Sequence, residues 1–363
     1  MDGEVAIVGG GVIGLVLAKE LAGSGVDVTV YEARRRAGEG ANKASGIVSV
    51  GGLASIGVDY HDAVLNSLDG AALYAGEEKL SIKAKETKAY VLDREVFARL
   101  CADEAIEAGA RIEFGKKLDK DMIKELSRGR IVAGADGVVS GVASQFGFPE
   151  INDYVLTYKA EYAGADVRDL HSCELFFSDA PKRFFGWTVP HSKSVLEVGI
   201  GEWIRTRRNS VSVFNAFIKN SIVSTEISGA TKESGLASII PLQARKATVK
   251  GNVLLVGDAA GQVKATTGGG LVFGALCAKT AAEAIVNHLR NGAPLSMYDR
   301  MWRRRYMADL QMHRAIHRYY SSLGPRGARL LFRLARTLGV EGFLSEYGDM
   351  DSPRKVAKRI FVR

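Results

Sequence analysis

Apolar and polar positions along this chain switch between two periods. "EVAIV" is a short apolar run. "GGGVIGLVLAKELAGSG" follows it, with small and apolar residues on one helical face, and "VDVTVYE" is a second strand ending in an acid. Strand, glycine turn, helix and strand within about 30 residues predict a βαβ unit. Residues 38–60 are a Gly/Ser-rich connection, and "AALYAGEEKLSIKAKETKAYVLD" alternates as a hairpin does. "REVFARLCADEAIEAGA" carries Phe97, Leu100, Cys101, Glu104 and Ala105 at helical spacing, and "RIEF" and "RGRIVAGADG" read as strands.

The period changes between 151 and 245. "DYVLTYKAEYA", "CELFFS", "FFGWTVPHSKSVLEVGIGEW" and "ASIIPLQ" are β-rich pieces, with "NSVSVFNAFIKNSI" a helix among them. "GNVLLVGDAA" then returns to the buried-strand pattern, "TGGGLVFGALCAKTAAEAIVNHL" is a long helix, and the last seventy residues are helical. The expected fold is α/β. A Rossmann-like domain is built from 1–60, 88–150 and 246–290, because strands such as "NVLLVGD" belong in one parallel sheet with "EVAIV". Residues 61–87 and 151–245 form an inserted β-rich substrate domain, and 291–363 a helical tail. No internal repeat or low-complexity tract interrupts this scheme.

Charge changes the picture in one place. The chain carries a net +8, yet residues 291–363 alone hold 15 basic and 6 acidic residues. The basic character therefore belongs to the C-terminal fifth. Such a segment fits an anionic surface, either membrane headgroups or nucleic acid, or simply a solvated helical face. "GARLLFRLARTL" sets Leu330, Leu331, Leu334 and Leu338 against Arg329, Arg333 and Arg336. That stripe could dock on its own protein or rest on a membrane. The most apolar run is cut by Lys279 and Glu283, so no spanning helix is expected. The start of the sequence has no signal-peptide pattern. Cys101, Cys173 and Cys277 are odd in number and far apart, which argues against a disulfide framework or a zinc site and for a reducing cytoplasm.

The chemistry begins at Gly9-x-Gly11-x-x-Gly14. Gly9 permits the tight turn, Gly11 lets a pyrophosphate approach the backbone, and Gly14 lets helix pack on strand. The helix N-terminus offers free N–H groups to the phosphates. Glu32, at the end of the second strand, can accept hydrogen bonds from a ribose. A second glycine stretch, "VGDAAGQVKATTGGGL" at 256–271, lacks its own βαβ unit. It therefore reads as a second contact zone for one extended dinucleotide, which FAD needs and NAD does not. Asp258 at the strand end suits ribitol hydroxyls, and the amides of "TGGGL" suit the electron-rich edge of a flavin.

These motifs, with "DR" at 93–94 and "GADG" at 134–137, resemble the p-hydroxybenzoate hydroxylase type of FAD flavoprotein, of the glutathione reductase fold. "KASGIVSVGGLASIGV", "FFGWTVPHSKSVLEVGIG" and "YGDMDSP" are similar, more narrowly, to the geranylgeranyl reductase family, including archaeal digeranylgeranylglycerophospholipid reductases. The resemblance implies that the backbone at Val12 and Ile13, with Glu32, binds the adenosine and pyrophosphate. It implies Leu118 at the adenine, Arg94 at the middle of the cofactor, and Lys43, Ala44, Ser45 and Gly46 beside the flavin. Asp258, Gly268, Gly269, Gly270 and Leu271 hold ribitol and flavin. Phe185, Trp187 and Pro190 are expected at the substrate, although Trp187 reads equally as core. Arg94 could otherwise be a surface charge at a helix start, Asp136 reads as a turn former, and His191 as a surface turn residue.

Three segments depart from the family pattern. Ala44 and Ser45 stand where a Pro-x-Cys-Gly segment is usual, Ala265 replaces a usual proline, and Ala143 replaces an arginine after Ser140. Ser45 is the expected catalytic position, able to donate a hydrogen bond but not to form a thiolate. Alanine at 265 leaves a turn freer than proline does, so a mobile flavin loop is expected there. The implied activity is FAD-dependent reduction of C=C bonds in geranylgeranyl chains of membrane lipid precursors. It requires an external electron donor, ferredoxin or NAD(P)H, and a nearby proton source. The alternative is a monooxygenase of the aromatic hydroxylase type; a third reading is a flavin-binding protein without reductase activity. The expected location is cytoplasmic, with peripheral contact at an anionic membrane through the basic tail, and no nucleic-acid partner is expected.

Overall fold

The computed structural model describes residues 4–43, 45–177 and 181–360. The predicted βαβ unit forms as β1 (Val5–Val8), α1 (Val12–Gly23) and β2 (Val28–Glu32). β3 (Ile47–Ser49), α2 (Val50–Ile56) and β4 (Val64–Leu68) follow, then β5 (Gly70–Ala75), β6 (Glu78–Lys83), β7 (Ala89–Leu92) and α3 (Arg94–Glu107). β8 (Arg111–Phe114), α4 (Lys120–Leu126), β9 (Ile131–Gly134) and α5 (Gly141–Gln145) complete the first half. The β-rich segment contains β10 (Tyr154–Ala163), β11 (Ser172–Phe176), β12 (Gly186–Ser192) and β13 (Val195–Trp203), then α6 (Ser210–Phe217), α7 (Ser221–Glu226), β14 (Thr231–Lys232) and β15 (Leu236–Pro241). The chain returns through β16 (Val249–Lys250), β17 (Val253–Leu255) and α8 (Leu271–Asn291). It ends in α9 (Met297–Trp302), α10 (Ala308–Ser322), α11 (Pro325–Thr337), α12 (Val340–Tyr347) and α13 (Pro353–Ile360).

The first sheet runs β16-β17-β9-β1-β2-β8. β1 pairs in parallel with β2 on one side and β9 on the other, and β17 joins β9 in parallel. All four residues of β1 are buried, as a strand covered on both faces requires. Chain order reverses about β1, so the crevice outside its carboxyl end is where such a sheet takes a ligand. α1, α3 and α8 cover one face, burying Leu15, Leu17, Phe97 and Ile285.

The second sheet runs β14-β10-β13-β12-β11-β5-β6, with β15 also on β10. Its pleat separates two cores. Tyr158, Ala160, Val198 and Ile200 point to one face, packed on α6 through Phe214 and Phe217 and on α7 through Val223. Val155, Trp187 and Val189 point to the other, with Phe184, Leu242 and Ala265. A third, small sheet, β3-β7-β4, lies beside the first. Val64–Leu68, grouped from sequence with the β-rich part, pairs here with β7 instead, so the second sheet starts at Gly70. The single helix expected over "NSVSVFNAFIKNSI" is two, because Asn220 caps α7 through its side chain to Ile222 N. No helix among the described residues is long and apolar enough to cross a membrane.

Candidate active site

The glycine loop after β1 is shaped by contacts that exclude side chains. Gly9 has φ +107°, and a Cβ there would lie 2.4 Å from Ala135 O. A Cβ on Gly14 would lie 2.0 Å from Gly9 O, so helix and loop touch backbone to backbone. Gly11 faces open space and caps α1 with no side-chain bond of its own, leaving the helix amides free for an anion. Glu32 Oε2 accepts from Gly10 N at 2.6 Å and Oε1 from Arg34 N at 2.9 Å. Its carboxylate therefore fixes the loop as well as offering the lone pairs expected at a ribose.

The second loop leaves β17 into a 3-10 turn, Gly257–Ala260, that carries Asp258. Burial pushes the Asp258 carboxyl pKa up and the Arg94 charge works against that. Burial likewise pushes the Arg94 guanidinium down, opposed by Cys101 and Asp258. Arg94 is the first residue of α3, whose N-cap Asp93 accepts from Glu95 N and Val96 N. Its Nε is buried with no hydrogen-bond partner among the described residues. A guanidinium N–H in that state is costly unless a ligand meets it.

Both loops open into one cavity of about 390 Å³. Gly11, Val12, Ile13, Arg94, Asp258 and Gly268–Leu271 line one end; the cavity face of the second sheet lines the other. There Trp187 lies flat over Gly199, where a Cβ would come within 2.2 Å of its Cζ2, and Phe184 lies over Gly201, also at 2.2 Å. The Gly-x-Gly of β13 is thus the seat of two aromatic rings. Trp187 Nε1 donates to Glu197 Oε1 at 2.8 Å, and Lys159 Nζ to Glu197 Oε2 at 2.5 Å, all three residues being buried. Burial works to raise the Glu197 pKa, but His191 and Lys159 outweigh it and hold the carboxyl at about 2.

A family model described as "FAD binding domain" matches residues 2–312. The chain belongs to that family. Among its curated relatives, digeranylgeranylglycerophospholipid reductase 2 of Methanopyrus kandleri is 30% identical over 83% of this chain and 82% of its own length. The digeranylgeranylglycerophospholipid reductase of Methanosarcina acetivorans is 27% identical over 85% of this chain and 82% of its own. A geranylgeranyl bacteriochlorophyll reductase-like protein from Thermoplasma acidophilum shares the fold with TM-score 0.83 at 19% identity, over 99% of this chain and 95% of that one. Within the FAD-binding-domain family the chain groups with the geranylgeranyl reductases, and it is an FAD-dependent oxidoreductase.

The residues present fit FAD. The bare Gly11 cradle, the orphaned Arg94 Nε and the Asp258 carboxylate line one cavity, offering an anion cradle, a guanidinium donor and a carboxylate acceptor. Gly46, at φ +73°, sits so close to β7 that a Cβ would meet Leu92 O at 2.4 Å, and it brings Ser45 to the cavity wall. Lys43 ends a 3-10 turn, Ala41–Lys43, and Ala44 lies outside the described residues. Phe185 and Trp187 line the cavity. Pro190 projects from the opposite face of β12, with its carbonyl accepting from Asn66 Nδ2. Leu118 packs beside the core of Ile123 and Val132 instead of lining the cavity.

Two expectations are corrected. His191 is no surface turn residue: it lies in β12 at a register shift, with Nε2 3.7 Å from Glu197 Oε2, too far for a hydrogen bond but close enough for an ion pair. The turn at Ala265 is not loose. Lys264 N bonds to Gly269 O and Gly268 N to Lys264 O, and Ala265 is buried against the second sheet. Asp136 shapes its turn as expected, accepting from Ser140 Oγ and Val142 N. Sequence reasoning missed Cys173, which lines the cavity from β11. Its place two residues before Leu175 in an alternating strand was the available signal. Burial raises its thiol pKa to about 11, so it stays protonated at neutral pH.

Proposed function

We propose that this protein hydrogenates isolated C=C bonds in the isoprenoid chain of a membrane-lipid precursor, with reduced FAD as the immediate reductant. The observation that carries this reading is the chemistry of the sheet wall. Leu175, Phe184, Phe185, Trp187, Val189 and Ile240 present hydrocarbon to the cavity; the polar groups among them are the neutral Thr157, Cys173 and Ser238. Such a wall excludes water around an alkene that no carbonyl activates. The flavin, when bound, supplies the reducing equivalents. Ser45, at the flavin end, and Cys173, Thr157 and Ser238, on the sheet wall, are uncharged protic groups able to pass a proton. The names of the curated relatives support the same substrate class.

The surroundings support a lipid substrate. A second cavity of about 300 Å³ lies under the turn between α10 and α11 and shares Phe184 with the first. Leu331 and Phe332 line it, with Lys182 and Arg183. The same helix, α11, turns Leu330 and Leu334 outward, 56% and 50% exposed, and Leu338, the residue that caps its C-terminus, continues the four-residue spacing at 78%. Arg333 and Arg336 hold the helix to Glu78 at 2.9 and 3.0 Å. An exposed leucine row on a basic helix suits the interface of an anionic membrane.

The test is anaerobic. FAD-replete protein reduced with dithionite is given geranylgeranyl phospholipid and geranylgeranyl diphosphate, and the products are weighed by mass spectrometry. A gain of two hydrogens per reduced bond is expected. No gain on either substrate, with NADPH oxidation coupled to oxygen uptake in air, would overturn the reading in favour of a monooxygenase.

A further inference from the structure

The "YGDMDSP" segment between α12 and α13 reaches back to the flavin loops. Asp351 Oδ1 pairs with Lys264 Nζ at 2.5 Å, and Met350 O accepts from the same ammonium at 3.3 Å. The other oxygen, Oδ2, accepts from Ser49 Oγ, the N-cap of α2 and three residues beyond Gly46. Gly52 leaves room for that carboxylate: a Cβ there would stand 2.7 Å from Oδ2. His313 adds a further tie, with Nδ1 2.7 Å from Thr266 Oγ1 and Nε2 3.2 Å from Asp351 O. One carboxylate thus bridges the two loops that flank the flavin end of the cavity.

Lys264 is more than an anchor point for this strap. It lines the cavity, as does Met350. Its stem runs under the glycine turn ahead of α8, where a Cβ on Gly269 would meet Lys264 Cε at 2.8 Å. Its side chain is only 6% exposed and that of Asp351 15%. In so sheltered a place a unit charge acts strongly on a neighbouring ring whose own charge changes on reduction.

We propose that Lys264 and Asp351 are a counter-charged pair that sets the reduction potential of the bound flavin. Lys264 favours the electron-rich reduced state, and Asp351, delivered by the C-terminal segment, holds that effect down while fixing the ammonium in place. Both act as positioning residues, and the inference rests on the reading that the 257–270 loop faces the flavin.

The experiment measures FAD content and the flavin midpoint potential, by reduction against reference dyes, in holoprotein. Lys264→Met removes the positive charge, and its potential falls. Asp351→Asn leaves the ammonium uncompensated, and its potential rises. Each changes the reduced-to-oxidised ratio at fixed potential on the order of tenfold, about 30 mV for a two-electron couple. The double variant returns toward the wild-type value, and Lys264→Arg and Asp351→Glu stay near it. Shifts of one sign, or none, in variants that retain FAD would overturn the pair while leaving the flavin site intact. Retention of full FAD affinity in Gly270→Val, whose side chain would crowd Asp258, would instead remove the premise that this loop grips the cofactor.

Discussion

The ring of Trp187 rests on the bare backbone of Gly199, the residue directly opposite it on β13. Gly199→Ala therefore acts on the ring before anything else. It should cost about 1–3 kcal/mol as an overpacking change. It should also raise KM for the prenyl substrate while the dissociation constant for FAD, read by flavin fluorescence, stays unchanged. Weakened FAD binding would show instead that the indole supports the cofactor.

Glu197 holds that indole and carries the pH dependence. Its folded pKa is depressed, so its contribution is complete above the ordinary 4.5 and is lost as pH falls toward about 2. The difference corresponds to on the order of 3 kcal/mol. Urea unfolding across this range should show an acid-side slope that Glu197→Gln makes shallower, the lowered carboxyls of Asp299 and Asp351 keeping the remainder. At neutral pH the same variant removes the nearer counter-charge of buried Lys159, leaving Glu161 at 3.8 Å, and should lose stability by about 1–3 kcal/mol.

Arg94→Met separates cofactor binding from folding. The arginine's buried Nε has no partner among the described residues, so its removal relieves a desolvated donor. The melting temperature of the FAD-free protein should not fall. FAD affinity should weaken about 10–100-fold, the worth of a hydrogen bond to a charged group. A large loss of apo stability with normal FAD binding would make Arg94 a structural residue.

The leucine row of α11 predicts a membrane readout. Leu330→Gln with Leu334→Gln should lower co-sedimentation with anionic vesicles at least about tenfold, since each leucine is worth about 1.5–3 kcal/mol when buried. Turnover of a detergent-dispersed substrate should stay unchanged. Equal vesicle binding by wild type and variant would return these leucines to ordinary surface.

The sequence was most legible where one local pattern sufficed. Gly9, Gly11 and Gly14 with Glu32 announced the first loop, because close approach is set by neighbours within a few positions. What stayed hidden was pairing between distant charges. Nothing in "YVLTYKAEYA" or "VLEVGIG" says that Lys159 and Glu197 meet inside a sheet, and nothing near Lys264 points to Asp351. Such residues look solvent-exposed by composition, and only tertiary packing removes them from water. His191 was misread for the same reason. Ala265 was misjudged because proline was credited with rigidity that burial and two backbone hydrogen bonds supply here.

The first sheet has a further consequence at the ribosome. β1 is translated well before its neighbour β9, which ends at Gly134, and before the next strand out, β17, which ends at Leu255. Until those segments are made, the nascent chain carries unsatisfied parallel edges of the kind that invite misassembly. On the proposed placement of FAD, cofactor capture waits longer still, because Asp258 and Gly270 are translated after the whole of the β-rich insertion. Held as proposed, FAD would join chain segments made early to segments made late, and so act as a staple on a fold whose closure comes last.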